Sequence, residues 1–242
     1  MDNTTAIIGI LIVIIIFLVY QLWKGSKGSQ SNHSGIEIIR APITDKPVCS
    51  TFLTNLEWRR AVKTFSPGAV DYEPILKAIQ SCPSSFGIQP YRVVILTNKL
   101  LKEDIKPHCF NQPQITECDV LLVFCAIKNV DARVDEYIKS SDSEGAREMI
   151  TGFMGGIKDK VEWARKQAYI ALGYAIAAAT ELKIANCPME GFVHDKVAEI
   201  LATDPNYIPS VFLALGRENV EATAAARPRF KFPMDNLFHL ED

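Results

Sequence analysis

The sequence predicts an α/β or α+β domain carried behind one transmembrane helix, and three observations lead there. Helical and strand-like apolar patterns alternate along residues 53–242. Asp119 to Ile127, DVLLVFCAI, is too continuously apolar to have a wet face, so it reads as a central strand covered on both sides. Ala6 to Trp23, AIIGILIVIIIFLVYQLW, is interrupted only by Gln21. At ~1.5 Å per residue a helix over this run spans about 27 Å, near the ~30 Å of a bilayer's hydrocarbon core.

Residues 1–5 form a short tail and 6–23 the predicted span, with Tyr20 and Trp23 placed for the interface. The run lacks a basic segment before it and a small-residue cleavage pattern after it, so an anchor is preferred to a cleaved signal peptide. Asp2 precedes the span and Lys24 and Lys27 follow it, which by the positive-inside tendency leaves the bulk of the chain facing the cytosol. Residues 24–52 read as linker and arm, beginning with the polar tether GSKGSQSNHS, and the globular domain occupies 53–242.

Within the domain, Thr54 and Glu57 fit a capping box opening a short helix that ends in Arg59-Arg60-Ala61-Val62-Lys63. Asp71 to Gln80 is a helix with Ile75, Leu76 and Ile79 on one face, followed by the strand YRVVILT from Tyr91 and an exposed helix from Asn98 to Lys106. Residues 129–158 show the least regular pattern and read as a linker or as a lid with Phe153 as an apolar contact. Asp159 and Glu162 cap the longest helix, Lys160 to Ile184, apolar nearly all round from Ala168 to Ala179. Such a helix belongs in a deep core or an oligomer interface, and Gly173 and Ala177 allow close approach. NCPMEGF, 186–192, reads as a turn before another helix, and Ile208 to Gly216 as a second buried strand.

A formal net charge of −2 over 242 residues argues against a nucleic acid partner, which needs a clear basic excess. The six cysteines include no C-x-x-C pair and the four histidines supply no paired spacing, so no metal site is expected. The cysteines read as reduced core residues.

Three stretches can carry chemistry. In PSSFGIQPY, Pro83 stops the preceding helix, Ser84 and Ser85 offer hydroxyl and backbone donors, and Gly87 removes a Cβ that would hold a flat ligand away. Alone, such a stretch is more often an ordinary loop. Arg59, Arg60 and Lys63 form one basic patch, and Arg227, Arg229 and Lys231 in ARPRFKFP form a second. Either is a phosphate-binding fork or a solvated charge run. Pro188, Met189, Glu190 and Gly191 precede a helix start, where free N–H groups point forward.

In series, RRAVKTF, PSSFGIQPY, WARKQAYIALG, CPMEGF and RFKFP resemble the NAD(P)H-dependent nitroreductase family of FMN flavoproteins, over roughly Leu53 to Leu240. The resemblance implies an α+β fold with a mixed central sheet flanked by helices, a long core helix, and a homodimer with its sites at the interface. It implies that Arg59, Arg60, Ala61 and Lys63 hold the FMN phosphate and pyrimidine edge, with Arg229 and Lys231 completing the clamp. Pro83, Ser84, Ser85 and Gly87 would line the flavin from the second subunit, and Asn111, Gln114 and Gln167 would bond its ring and ribityl groups. Pro188, Met189, Glu190 and Gly191 would lie along the ring. Ala61, Gly87 and Gln114 stand where some members have serine, asparagine and lysine.

The implied function is transfer of electrons from NADH or NADPH through FMN to a nitroaromatic, quinone or similar small acceptor. No catalytic acid, base or nucleophile is expected, because the cofactor carries the reaction. Two other readings stand beside it: a reductive dehalogenase similar to iodotyrosine deiodinase, with Glu136, Tyr137 and Lys139 as a loose lid, and an anchored scaffold without turnover.

Overall fold

A computed structural model of the chain describes residues 50–224 and 228–241. The predicted span 6–23, its tether and Arg227 lie outside them, and among the described residues no helix is long and apolar enough to cross a membrane. In chain order the elements are α1 (Thr51–Trp58), β1 (Phe65–Ser66), α2 (Glu73–Gln80), β2 (Tyr91–Leu96), α3 (Lys99–Ile105), α4 (Gln114–Glu117) and β3 (Val120–Ile127). They continue with α5 (Val130–Ser140), α6 (Arg147–Gly155), α7 (Lys160–Glu181), β4 (Ala185–Met189), α8 (His194–Ile200), β5 (Tyr207–Glu218) and α9 (Val220–Ala224). All belong to one compact unit that runs from Pro47 to Lys231; α10 (Met234–Leu237), a short helical turn, follows it.

The sheet has five strands, and β5 is its hub: β3 pairs along one side of it, β4 and β1 along the other, and β2 pairs with β3. Every ladder is antiparallel, which corrects the expected mixed sheet; the parallel pairing among the described residues is the isolated bridge Ala61 to Asn186. The continuous apolar run of β3 is explained by burial on both faces. Leu121, Val123 and Cys125 pack into a core with Phe212, Ala214 and helices α3, α4 and α8. Val120, Leu122 and Phe124 turn to the other face, against Ile75 and Ile79 of α2 and the alanine-rich side of α7. The five described cysteines are free and buried, as the scattered spacing predicts.

Several boundaries differ from expectation, each for a local reason. Helix α1 starts at Thr51, so Thr54 lies inside it, where its hydroxyl donates to Ser50 O at 3.0 Å instead of capping. It ends at Trp58, and the basic stretch beyond is extended because Val62 N donates to Asn186 O at 3.1 Å beside the Ala61 bridge. Helix α2 begins at Glu73, whose N–H is taken by the Asp71 carboxylate at 3.1 Å. Residues 129–158 are not a loop. They form α5, capped by Asn129, with Val130, Val134 and Ile138 buried at helical spacing, and α6, with Ile150 and Met154 buried. Residues 185–189 are the strand β4 and not part of a turn; Pro188 is tolerated because β4 has a full ladder on one side only.

Gly216 is where the two longest-range pairings crowd together. A Cβ there would lie 2.8 Å from Phe65 Cδ1 and 3.3 Å from Asp119 N, a backbone atom that cannot swing aside. Gly216→Ala is therefore expected to cost about 1–3 kcal/mol of overpacking. In Gly152→Ala on α6 the new Cβ meets nothing within 4 Å, and the change should add up to about 1 kcal/mol of helix propensity. Urea unfolding of both variants checks this, and equal midpoints would contradict the crowding.

Candidate functional site

The chain builds two constellations from the predicted residues. The first is cationic. After α1 the backbone of 59–63 runs beside β4, and Lys63 Nζ reaches Cys187 Sγ at 3.4 Å. Arg229 arrives from the far end of the unit, 170 positions away, and its Nη1 donates to Arg59 O at 3.0 Å and to Leu56 O at 3.2 Å. Arg60 Nη1 donates to Thr223 O at 3.4 Å. Between these segments opens a cavity of about 240 Å³ lined by Arg60, Ala61, Lys63, Thr223 and Arg229, among others.

The electrostatics of this corner call for an anion. Burial, and then the charge of Arg229, hold the Arg59 guanidinium below its ordinary pKa. Burial pushes the Cys187 thiol up despite the pull of Lys63 and Arg59, so it stays a neutral thiol and does not supply the missing charge. Arg59 Nη1 and Asn186 Oδ1 are buried with no hydrogen-bond partner among the described residues. An unpaired buried group costs ~1–3 kcal/mol, and more when charged. Neither residue lines the cavity, whose own cationic donors to a phosphate are Arg60, Lys63 and Arg229. The donor set therefore fits a phosphorylated flavin such as FMN. Lys231 stays exposed and outside the cavity lining.

The second constellation surrounds the PSSFG loop. Gly87 N donates to Ser84 O at 2.8 Å and Gln89 N to Ser84 Oγ at 2.9 Å, closing a tight turn after Pro83. Phe86, Gly87 and Gln89 all have positive φ, of 55°, 77° and 46°. A glycine takes this without cost, whereas the two side-chain-bearing residues are strained and must be held from outside. Ser85 N donates to Gln167 Oε1 of α7 at 2.9 Å, so Gln167 fastens the loop and is not left free for a ligand. Phe153 of α6 stands edge-on to Phe86 at 5.1 Å, which places the predicted substrate contact against the loop.

A third group lies between α4 and the end of β4. Gln114 is buried, and its Nε2 donates to Gln112 Oε1 at 3.0 Å; Gln112 Nε2 in turn donates to Gly191 O at 3.1 Å. Gln112, two positions away in the same N-Q-P-Q run and not among the predicted residues, is thus the one that touches the Glu190-Gly191 turn. Asn111 is exposed, in the left-handed region. Glu190 is exposed and bonded to the Tyr169 hydroxyl of α7. A cavity of about 610 Å³ beside them is lined by Glu162, Arg165, Lys166, Tyr169, Glu190, His194 and Ser210, of which only Glu190 was expected from sequence. Tyr169 sits on the apolar α7 face, and nothing in its spacing distinguishes it from a core aromatic. No group of metal-ligating side chains occurs among the described residues.

An antiparallel sheet between helical layers, with a cationic corner at one end, makes this an α+β protein. The chain belongs to the Nitroreductase family, which residues 56–217 match. A relative from Staphylococcus haemolyticus, named "Putative NAD(P)H nitroreductase", is 32% identical over 198 residues, covering 71% of this chain and 90% of its own. The Nitroreductase Family Protein of Streptococcus pneumoniae superposes with a TM-score of 0.66 at 18% identity, over 78% of this chain and 100% of its own. A protein of Exiguobacterium sibiricum described as a "putative nitroreductase in complex with FMN" has a TM-score of 0.66 at 18% identity, over 81% of this chain and 99% of its own. At these identities the two structures speak for the fold alone.

Proposed function

We propose that this chain is a membrane-anchored, homodimeric FMN oxidoreductase that takes electrons from NADH or NADPH and delivers them to a small acceptor, a nitroaromatic or a quinone. The observation that carries the reading is the convergence of Arg60, Lys63 and Arg229 on one cavity, with Arg229 tied to the backbone carbonyl of Arg59 beside it. Names of relatives support the nicotinamide donor, and a structural neighbour solved with FMN supports the flavin.

When bound, FMN supplies hydride acceptance and release. The residues of the chain do the rest. Arg60, Lys63 and Arg229, with Arg59 beside them, would hold the phosphate dianion through charge-assisted hydrogen bonds. The Pro188 to Gly191 segment, its turn fixed by Gln112 and Tyr169, would hold the ring. Phe86 and Phe153, in edge-to-face contact, would offer an apolar surface to the acceptor. The PSSFG loop is fastened to α7 and α5, whereas the clamp is fastened to α1 and β4. Two separately anchored half-sites suit a flavin shared between subunits. Glu136 is paired with Arg133 at 2.8 Å, which leaves the acidic member of a dehalogenase-type zwitterion grip already engaged.

Titrating FMN into the purified full-length chain in detergent tests the reading: the protein should turn yellow, quench flavin fluorescence, and oxidise NADH or NADPH with parallel-line kinetics against menadione or a nitrofuran. A chain that stays colourless with micromolar FMN would support the scaffold alternative. In sealed vesicles of known orientation, residues 35–242 should be digested only by protease on the cytosolic side.

A further inference from the structure

We infer that Arg133 is a positioning residue of the flavin seat, locking the Ser84 to Pro90 loop in its receiving shape from helix α5; this rests on the FMN reading above. The loop cannot hold that shape by itself. Phe86 and Gln89 both sit in the left-handed region with side chains attached, at φ 55° and 46°. The backbone bonds within the loop run back to Ser84 and Ser85 and leave out the Ile88 carbonyl, while the Gln89 carbonyl accepts from Tyr91 N at 2.8 Å at the loop's exit.

Arg133 meets both carbonyls. Its Nε donates to Ile88 O at 3.2 Å and its Nη2 to Gln89 O at 3.3 Å, while Nη1 is held by Glu136 Oε2 at 2.8 Å. All three nitrogens of a planar, permanently charged fork are engaged, so the guanidinium has one orientation and imposes it on two successive peptide groups. Tyr137, one turn further along α5, lies 3.8 Å from where a Cβ on Gly87 would stand. Ile88 is buried among Val130, Val134 and Ile138 of the same helix. From the opposite side Gln167 takes Ser85 N. The loop is thus gripped between α5 and α7; the α5 grip acts at Gln89, whose side chain also donates to Gln80 O at 2.9 Å, while Phe86 rests on Phe153 of α6. A seat held in this way is preorganised, so the flavin does not have to order it on binding.

The test uses Arg133→Met, which keeps the aliphatic packing and removes the fork, and Arg133→Lys, which reaches one carbonyl but not two. In the flavin-free full chain, hydrogen exchange at the Gly87 and Ile88 amides should speed up about tenfold in the methionine variant, with β2 amides unchanged and the lysine variant intermediate. FMN and riboflavin should both bind about tenfold more weakly, because the loop holds the part of the ligand that they share. Unchanged exchange overturns the proposal, as does a loosened loop that binds both flavins as tightly as the parent does. A parent chain that takes up neither flavin would instead count against the FMN reading, and exchange would still decide whether Arg133 holds the loop.

Discussion

Replacing Arg229 with alanine is expected to weaken FMN binding about ten- to a hundredfold while leaving riboflavin affinity near the parent value. A hydrogen bond to a charged group contributes about 1.5–3 kcal/mol, and each 1.4 kcal/mol is tenfold in affinity. Riboflavin lacks the phosphate and has nothing to lose at that corner. Two opposing effects are smaller. Removing Arg229 relieves the like charge beside Arg59, which makes Arg59 easier to keep ionised. It also strips a donor from Leu56 O and Arg59 O, but that contact is exposed and water can take its place. Parallel fluorescence titrations with the two flavins, alongside a thermal melt, separate these effects. Equal affinities for the variant and parent would mean that the C-terminal cations are a solvated surface run.

Gly173→Leu is expected to abolish the dimer and flavin loading together while leaving the chain folded. In the single chain a Cβ at Gly173 meets nothing within 4 Å. The glycine lies on the α7 face that also exposes Tyr169, Ile170 and Tyr174, while the opposite face is buried against the sheet. An isobutyl group there does not touch the chain's own core, but it would hold a second α7 away. Overpacking at a close contact typically costs ~1–3 kcal/mol, about ten- to a hundredfold in dimer dissociation. Sedimentation at micromolar concentration with absorbance at both protein and flavin wavelengths reads assembly and loading at once. A parent chain that sediments as a flavin-loaded monomer would rule out a site shared between subunits.

The sheet and the long helix were legible because their burial is two-sided and leaves apolar runs: Val120 to Ile127, Val211 to Gly216 within the strand read as Ile208 to Gly216, and the alanine stripe of α7. Helices α5 and α6 were hidden because only one narrow stripe of each is buried, and Asp131, Arg133, Glu136 and Lys139 fill the rest with charge. Strand β4 was masked by Pro188, whose missing N–H argues against a strand unless the strand has a free side, and pairing cannot be seen in sequence. The same limit applies to the site. The residue types of the clamp were evident, yet that Arg229 lands on Arg59 depends on the path of the whole chain. Gln112 and Gln114 are chemically alike, and which of them faces the Gly191 turn is decided by the four-residue helix that buries Gln114.

Because β5 pairs with β1, β3 and β4 alike, the order of synthesis matters to this protein. Until Tyr207 to Glu218 has left the ribosome, only β2 can pair with β3, and the other edge of β3, an uncharged apolar ladder, stays open. A nascent or truncated chain in that condition presents an aggregation-prone edge from the emergence of β3 until β5 follows. The strand that closes the edge comes late, and Arg229 follows only a few residues behind it. The segment from β5 to Arg229 therefore both quenches the sticky intermediate and completes the anion corner, so a premature stop before β5 should yield insoluble protein and not a smaller soluble domain.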